Sequence, residues 1–220
     1  MDALEIMFGK RSIADKIGQS VAETSIEKTA KPGVVTQQIK AASKVKEELE
    51  KRYIAFDTET TGFSAYNDRI IEIGAVLFEN GAPVKSYGTL VNAGKRVPAS
   101  ASRVNHITND MLKDAPSEKE VYPQFVEFLG DAMNGETIIC AHNASFDMRF
   151  LAATFERLSI DANIRYVDTL AICKRCVTDT DDHKQPTMAQ YFGISQKDAH
   201  RAQSDALVCG SIMAKLLKIL

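Results

Sequence analysis

The stretch Y-I-A-F-D-T-E-T-T-G-F, residues 53–63, decides how this chain is read. Its apolar start has the composition of a buried strand, and the strand runs out onto Asp57 and Glu59. Side chains two apart on a strand share a face, so both carboxylates project together from its carboxyl end. Placing two like charges side by side in a partly buried position is costly unless something neutralises them. In sheets where strands alternate with helices, that end of the strands is where ligands usually bind.

Outward from this strand, an apolar run over 70–78, the turn signal Asn80-Gly81 and a returning run over 84–91 predict two further strands, joined as an antiparallel hairpin. Ser117 and Glu120 form a capping-box pattern that opens a helix stopping at Gly130. Residues 137–141 predict a fourth strand. Residues 145–158 predict a helix with Phe146, Phe150, Leu151 and Leu158 as its buried stripe. A short fifth strand is expected over 165–167, with Asp168 capping the next helix. A polar mobile loop is expected over 178–185, a short helix over 187–192 closed by Gly193, and a final helix over 202–219.

Upstream, residues 36–52 carry Ile39, Ala42, Val45 and Leu49 at helical spacing, with Lys44 and Glu48, and Lys46 and Glu50, four apart. The chain therefore divides at residue 52 into an N-terminal extension, helical and interrupted by K-P-G at 31–33, and a domain over 53–220. Strands first, then alternating strand and helix, predict an α/β sandwich around a mixed sheet.

With 220 residues, 45% of them hydrophobic, the chain is long enough for a sizeable core. A charged fraction of 25% and a net charge of −2 do not fit a disordered chain. They supply no overall basic field for nucleic acid, so local features must do the attracting. No run approaches the roughly 18 apolar residues of a spanning helix, and the N-terminus lacks a secretory pattern. The expectation is a cytoplasmic protein with no membrane partner. Four cysteines scattered through apolar segments read as reduced thiols, and Cys173-x-x-Cys176 has no second pair to complete a zinc site.

Two further acids join Asp57 and Glu59. Asp147, in A-H-N-A-S-F-D (141–147), falls in the first turn of the helix after the fourth strand and emerges at the same sheet edge. Asp205 closes H-R-A-Q-S-D (200–205). Five helical residues rotate by roughly 140°, so Asp205 and His200 share a site only if His200 lies on the loop or first turn before the last helix. Four carboxylates suit hard divalent ions such as Mg2+ or Mn2+ better than zinc. Two such ions about 3.5 to 4 Å apart stabilise the attacking and leaving oxygens of a phosphodiester displacement. An imidazole, with an unperturbed pKa of about 6.5, suits deprotonation of the attacking water.

The three phrases D-T-E-T-T-G-F, H-N-A-S-F-D and H-R-A-Q-S-D, in that order, resemble the exonuclease motifs of the DEDDh group of 3′→5′ exonucleases, most closely the proofreading epsilon subunits of bacterial DNA polymerase III. The resemblance spans about residues 53–217. It implies a ribonuclease H-like fold, a mixed five-stranded sheet flanked by helices. It implies that Asp57 bridges two metal ions, that Glu59 and Asp205 complete one ion and Asp147 holds the other, and that His200 is the general base. It also implies that Thr60, Thr61, Gly62 and Phe63 line the 3′-terminal nucleotide, approached by His142 and Phe146, with Val104 and Asn105 as the wedge beside its base. The wedge departs from the family pattern, reading Val-Asn-His-Ile at 104–107 where epsilon subunits usually read Val-His-Gly-Ile. The implied substrate is a single-stranded or frayed DNA 3′ end, with a DNA polymerase as a possible partner. An RNA-trimming exonuclease and a non-catalytic polymerase adaptor are the alternatives.

Overall fold

The computed structural model describes residues 33–196 and 200–220. A sheet of six strands, in the order β1-β6-β5-β2-β3-β4, organises them. The strands are β1 (Val34–Gln38), β2 (Arg52–Thr60), β3 (Ile70–Glu79), β4 (Ala82–Leu90), β5 (Ile138–Ala141) and β6 (Ala162–Asp168). β1, β6, β5 and β2 run parallel, whereas β3 and β4 are antiparallel additions. The carboxyl ends of the four parallel strands therefore share one edge of the sheet.

The hairpin between β3 and β4 turns where the sequence signals it. Asn80 and Gly81 both have positive φ, 51° and 77°, as a two-residue turn matched to strand twist requires. The helices are α1 (Lys46–Lys51), α2 (Ala99–Asn105), α3 (Asn109–Lys113), α4 (Glu118–Leu129), α5 (Ser145–Leu158), α6 (Thr169–Cys176), α7 (Gln185–Tyr191) and α8 (Ala202–Leu216). Ser117 and Glu120 close a complete capping box on α4. Asp168 caps α6, accepting from the Leu170 amide at 3.0 Å. Helices α2 and α3 carry no strong apolar period and were not expected; Val97, Ile107 and Leu112 bind them to the sheet through Ile71.

One expectation is corrected. The sheet has six strands, not five, because the segment read as a helix over 36–52 divides in two. Residues Val34–Gln38 become edge strand β1, paired with β6 from Val34 opposite Ala162 to Gln38 opposite Tyr166. A 3-10 turn at Ala42–Val45 and the short α1 follow. Pairing with a distant strand has overridden a helical period that a β-branched start, Val-Val-Thr, opposes locally. Ala42, Val45 and Leu49 are buried all the same. Lys46 reaches Glu50 at 3.7 Å, whereas Glu48 pairs with Arg165 of β6 at 2.9 Å. The compact unit thus begins at Gly33 rather than at residue 53. The part of the expected helical extension over 1–32 lies outside the described residues. All four cysteines are free thiols, and among the described residues no helix is long and apolar enough to cross a membrane.

Alternation along β2 assigns its two faces. Tyr53 and Ala55 pack with Phe78, Ile138 and Cys140 against Ile212, Met213 and Leu216 of α8. Ile54 and Phe56 pack with Ile73 and Ile139 against Phe125 of α4 and Phe150, Leu151 and Phe155 of α5. Tyr53 stacks on Phe78 with centroids 5.0 Å apart and donates its hydroxyl to the Gly210 carbonyl of α8 at 2.8 Å. Such a stack contributes about 0.5–1.5 kcal/mol beyond area burial. Asp57 and Glu59 continue the α8-facing row past the end of its apolar part.

Gly74 sets how near α8 can come. It stands opposite Asp57 in the β2–β3 pair. A Cβ at this position would fall inside contact distance of the Ala202 carbonyl and the Gln203 amide at the start of α8. Gly74→Ala is expected to lower unfolding stability by about 1–3 kcal/mol, the usual cost of overpacking, read from the urea midpoint. An unchanged midpoint would show that α8 can retreat freely from the sheet.

Candidate active site

The four acids reach the carboxyl edge from three elements, one strand and two helix starts. Asp57 and Glu59 are alternate residues near the end of β2 and are half-buried. Asp147 sits in the first turn of α5, only 3% exposed. Asp205 sits in the first turn of α8 and is 8% exposed. Helix N-termini favour anions, which offsets part of the burial cost for the last two. His200 lies before α8, exposed and with φ +64°. The sequence-based arrangement, Asp205 within the helix and His200 ahead of it, is the one the structure has.

Ligating atoms of Glu59, His200 and Asp205 all lie within 4.8 Å of one another, as a shared cation would need. Burial pushes the Asp57 carboxyl well up, and Asp147, Asp205 and Glu59 push it further. Burial, then Asp205 and Glu72, raise Glu59 to about 8. Burial raises Asp147 to about 7, against the hydrogen bond it accepts from the Thr58 hydroxyl at 2.8 Å. Asp205 is raised by burial but held back by Gln196, whose amide donates at 2.8 Å, and by the His200 backbone N–H, donating at 3.0 Å. Without a cation, burial works against the charged form of each of these groups. Oxygen donors this close fit a hard divalent cation, which removes the repulsion.

Several supports escaped the sequence reading. Glu72, in an apolar run of β3, stands opposite Glu59. It is buried and holds the start of α8, accepting from the Ala202 amide at 3.3 Å and pairing with Arg201 at 2.6 Å. An acid inside I-I-E-I-G was its only signal. Thr58 points to the opposite face from its acidic neighbours and so ties the first motif to Asp147 of the second. Asp168 accepts from the Asn143 amide at 3.0 Å as well as capping α6. Asp68 fastens the loop after β2, reaching Thr61 at 3.2 Å, the Ser64 amide at 3.0 Å and Lys95 at 3.0 Å.

The residues expected around a terminal nucleotide separate into two groups. Phe63 is 87% exposed and meets Phe146 edge-on at 6.4 Å, and Val104 is 58% exposed; these present apolar surface outward. Gly62 leaves no room for a Cβ against the Asp68 carboxylate, so the loop backbone passes close over that anchor. The others turn inward and make hydrogen bonds within the protein. The Thr60 hydroxyl donates to the Gly62 carbonyl at 2.6 Å, and the Thr61 hydroxyl donates to Asp68 at 3.2 Å and accepts from the Arg69 amide at 3.1 Å, so both side chains brace the loop. Asn105 is buried and donates to the Thr60 carbonyl at 3.3 Å. His142 has both ring nitrogens engaged, one with the Thr169 hydroxyl at 3.0 Å and the other with the His183 carbonyl at 2.9 Å. Burial lowers its pKa, which makes it a neutral strut.

The raised carboxyls predict a pH-dependent stability. Between their ordinary values of 4.5 and 3.8 and the folded values of about 8 and 7, Glu59 and Asp147 hold protons that the unfolded chain has released. Native protein binding the more protons means that stability falls as pH rises through that window. In EDTA the melting midpoint should therefore decline from about pH 5 to pH 8 and level off above. A Glu59→Gln/Asp147→Asn variant should show a flatter profile, and equal slopes in the two proteins would remove the assignment.

Comparison with known proteins agrees with this geometry. Residues 54–213 match the family model described as Exonuclease, RNase_T. The chain is 36% identical over 168 residues to the DNA polymerase III subunit epsilon of Treponema pallidum, covering 75% of this chain and 76% of that protein. It is 36% identical over 170 residues to the PolC-type DNA polymerase III of Caldanaerobacter subterraneus subsp. tengcongensis, covering 77% of this chain but 12% of that polymerase. Among solved structures, exonuclease X in complex with 5′ overhanging duplex DNA matches with a TM-score of 0.58 and 22% identity over 76% of this chain and 90% of that one. E. coli exonuclease I in complex with a dT13 oligonucleotide matches with a TM-score of 0.65 and 17% identity over 76% and 41%. The fold, the three motifs and these matches together place the chain in the exonuclease family, among proteins similar to the epsilon subunit of DNA polymerase III.

Proposed function

We propose that this chain is a metal-dependent 3′→5′ exonuclease that removes nucleoside 5′-monophosphates from single-stranded or frayed DNA ends. The observation that carries the reading is the convergence of Asp57, Glu59, Asp147 and Asp205 at one sheet edge with His200 beside them. Four acids so placed would repel a phosphodiester by themselves, so the arrangement makes sense for a site that binds cations first. Two divalent ions, Mg2+ or Mn2+, would supply charge neutralisation and Lewis acidity at the attacking and leaving oxygens. Asp57, the acid that the other three all influence, is the residue suited to bridge them, with Glu59 and Asp205 on one side and Asp147 on the other.

The reaction these residues would support is hydrolysis. A water oxygen bonds to the terminal phosphorus and the bond to the 3′-oxygen of the preceding nucleotide breaks. The water proton passes to the His200 imidazole, and the leaving 3′-oxygen takes a proton from solvent. His200 is exposed on the approach to α8, where an imidazole can meet water and substrate together. Phe63, Phe146 and Val104 offer the apolar surfaces against which a terminal base can rest. DNA is favoured over RNA because the relatives in which this domain occurs are named as DNA polymerase III components, and the solved neighbours hold DNA. The same relatives support a polymerase partner, and a cytoplasmic setting is part of the proposal.

The test is mononucleotide release from a 5′-labelled single-stranded DNA oligonucleotide in Mn2+, Mg2+ or EDTA, with a matched RNA alongside. A ladder shortening from the 3′ end only with metal is expected. Asp57→Ala should fall to the EDTA baseline while keeping a cooperative melt. His200→Ala should slow turnover by about 10²–10⁴-fold, the range for general base removal. Wild-type turnover in Asp57→Ala, or faster cleavage of RNA than of DNA, would overturn the assignment of metal role or of substrate.

A further inference from the structure

We infer that His106 is a positioning residue for His200, an inference that rests on the reading of His200 as general base. His106 ends α2 in the left-handed region, φ 58° and ψ 13°, donating its amide to the Ser102 carbonyl at 2.9 Å. Glycine adopts that conformation without strain, and side-chain-bearing residues held there tend to mark functional positions. The imidazole is exposed, so it contributes nothing to the core that would explain keeping it. Its ring centre lies 6.1 Å from that of His200, with the planes at 68°, an edge-to-face pairing.

The two rings come from different elements, each anchored through its backbone. On the His106 side both neighbours are buried: Asn105 donates to the Thr60 carbonyl at 3.3 Å and accepts from the Ile107 amide at 3.2 Å, while Ile107 packs into the small cluster beneath α2. The backbone under His106 is thus tied to the strand end that carries Glu59. On the other side His200 is fastened by its backbone amide to Asp205 at 3.0 Å. Two rings in edge contact, each carried on an anchored backbone, limit each other's side-chain rotation. His106 therefore restricts the His200 imidazole to orientations over Glu59 and Asp205, where its ligating atom already lies within 4.8 Å of theirs. His106 does not itself contact the reacting atoms in this account. Its contribution is orientational, realised in the rate of the chemical step rather than in substrate binding.

The experiment is a double-mutant cycle with the full chain on the 5′-labelled DNA oligonucleotide in Mn2+. His106→Gly removes the ring and the backbone strain together, so its melting midpoint should equal or exceed that of wild type. Its kcat should fall about tenfold with KM unchanged within about twofold, and His106→Phe, which restores a ring, should recover most of the loss. In the His200→Ala background His106→Gly should cost nothing further, because residues acting as one unit are not additive. An undiminished kcat in His106→Gly overturns the inference, as does a loss seen in KM or one that persists in the His200→Ala background. The last result would mean that His106 touches DNA directly. A His200→Ala enzyme as fast as wild type would instead remove the general base reading, and with it the reason for the pairing.

Discussion

The close approach of α8 to the sheet across Gly74 is the constraint on which the site depends. Backbone lies against backbone there, with no side chain between Gly74 and the Ala202 carbonyl. Because Gly74 is the cross-strand partner of Asp57, the first turn of α8 is delivered directly beside the first acid, and Asp205 with it. The buried Glu72 carboxylate one pleat away then fixes the helix start through Ala202 and Arg201. Tyr53 and Phe78 continue the same contact further down α8. A sheet that can be approached this closely is what allows residues 57, 59 and 205 to share a site.

That proximity works against the stability of the folded chain by itself. Burial raises all four carboxyls, and repulsion from the neighbouring acids adds to it at Asp57 and Glu59, so charge on the metal-free cluster opposes the fold. The surrounding hydrogen bonds do not remove this repulsion. Thr58, Gln196 and the His200 amide each satisfy one carboxylate oxygen and hold it in place, leaving the net charge for something else to neutralise. A divalent cation does so with few geometric demands on the backbone, which is why such a cluster is stable with its ions and strained without them.

Around the acids, the fold separates bracing from contact. Thr60, Thr61, Asn105 and His142, near the motif acids, direct hydrogen bonds to neighbouring segments of the chain. Phe63, Phe146 and Val104 instead present apolar surface outward. The edge strand β1 lies at the opposite margin of the sheet from β4, beyond β6, and extends the parallel half.

The sequence by itself determined the acids, their order and the local structures that carry them. Alternation on β2, the Asn80-Gly81 turn, the Ser117–Glu120 capping box and the Asp168 cap are short-range chemistry, and each is found where that chemistry puts it. Only the tertiary structure decided which groups support those acids. Glu72 opposite Glu59, Gly74 beneath Ala202, Gln196 on Asp205 and His106 beside His200 are pairings between separate segments of the chain. The strand at Val34–Gln38 belongs with them, since its own periodicity reads as helix until β6 offers hydrogen bonds along its length. The physical reason is one of range: propensity, capping and turn preference act over a few residues, whereas the packing of strands and helices alone decides which buried polar groups meet.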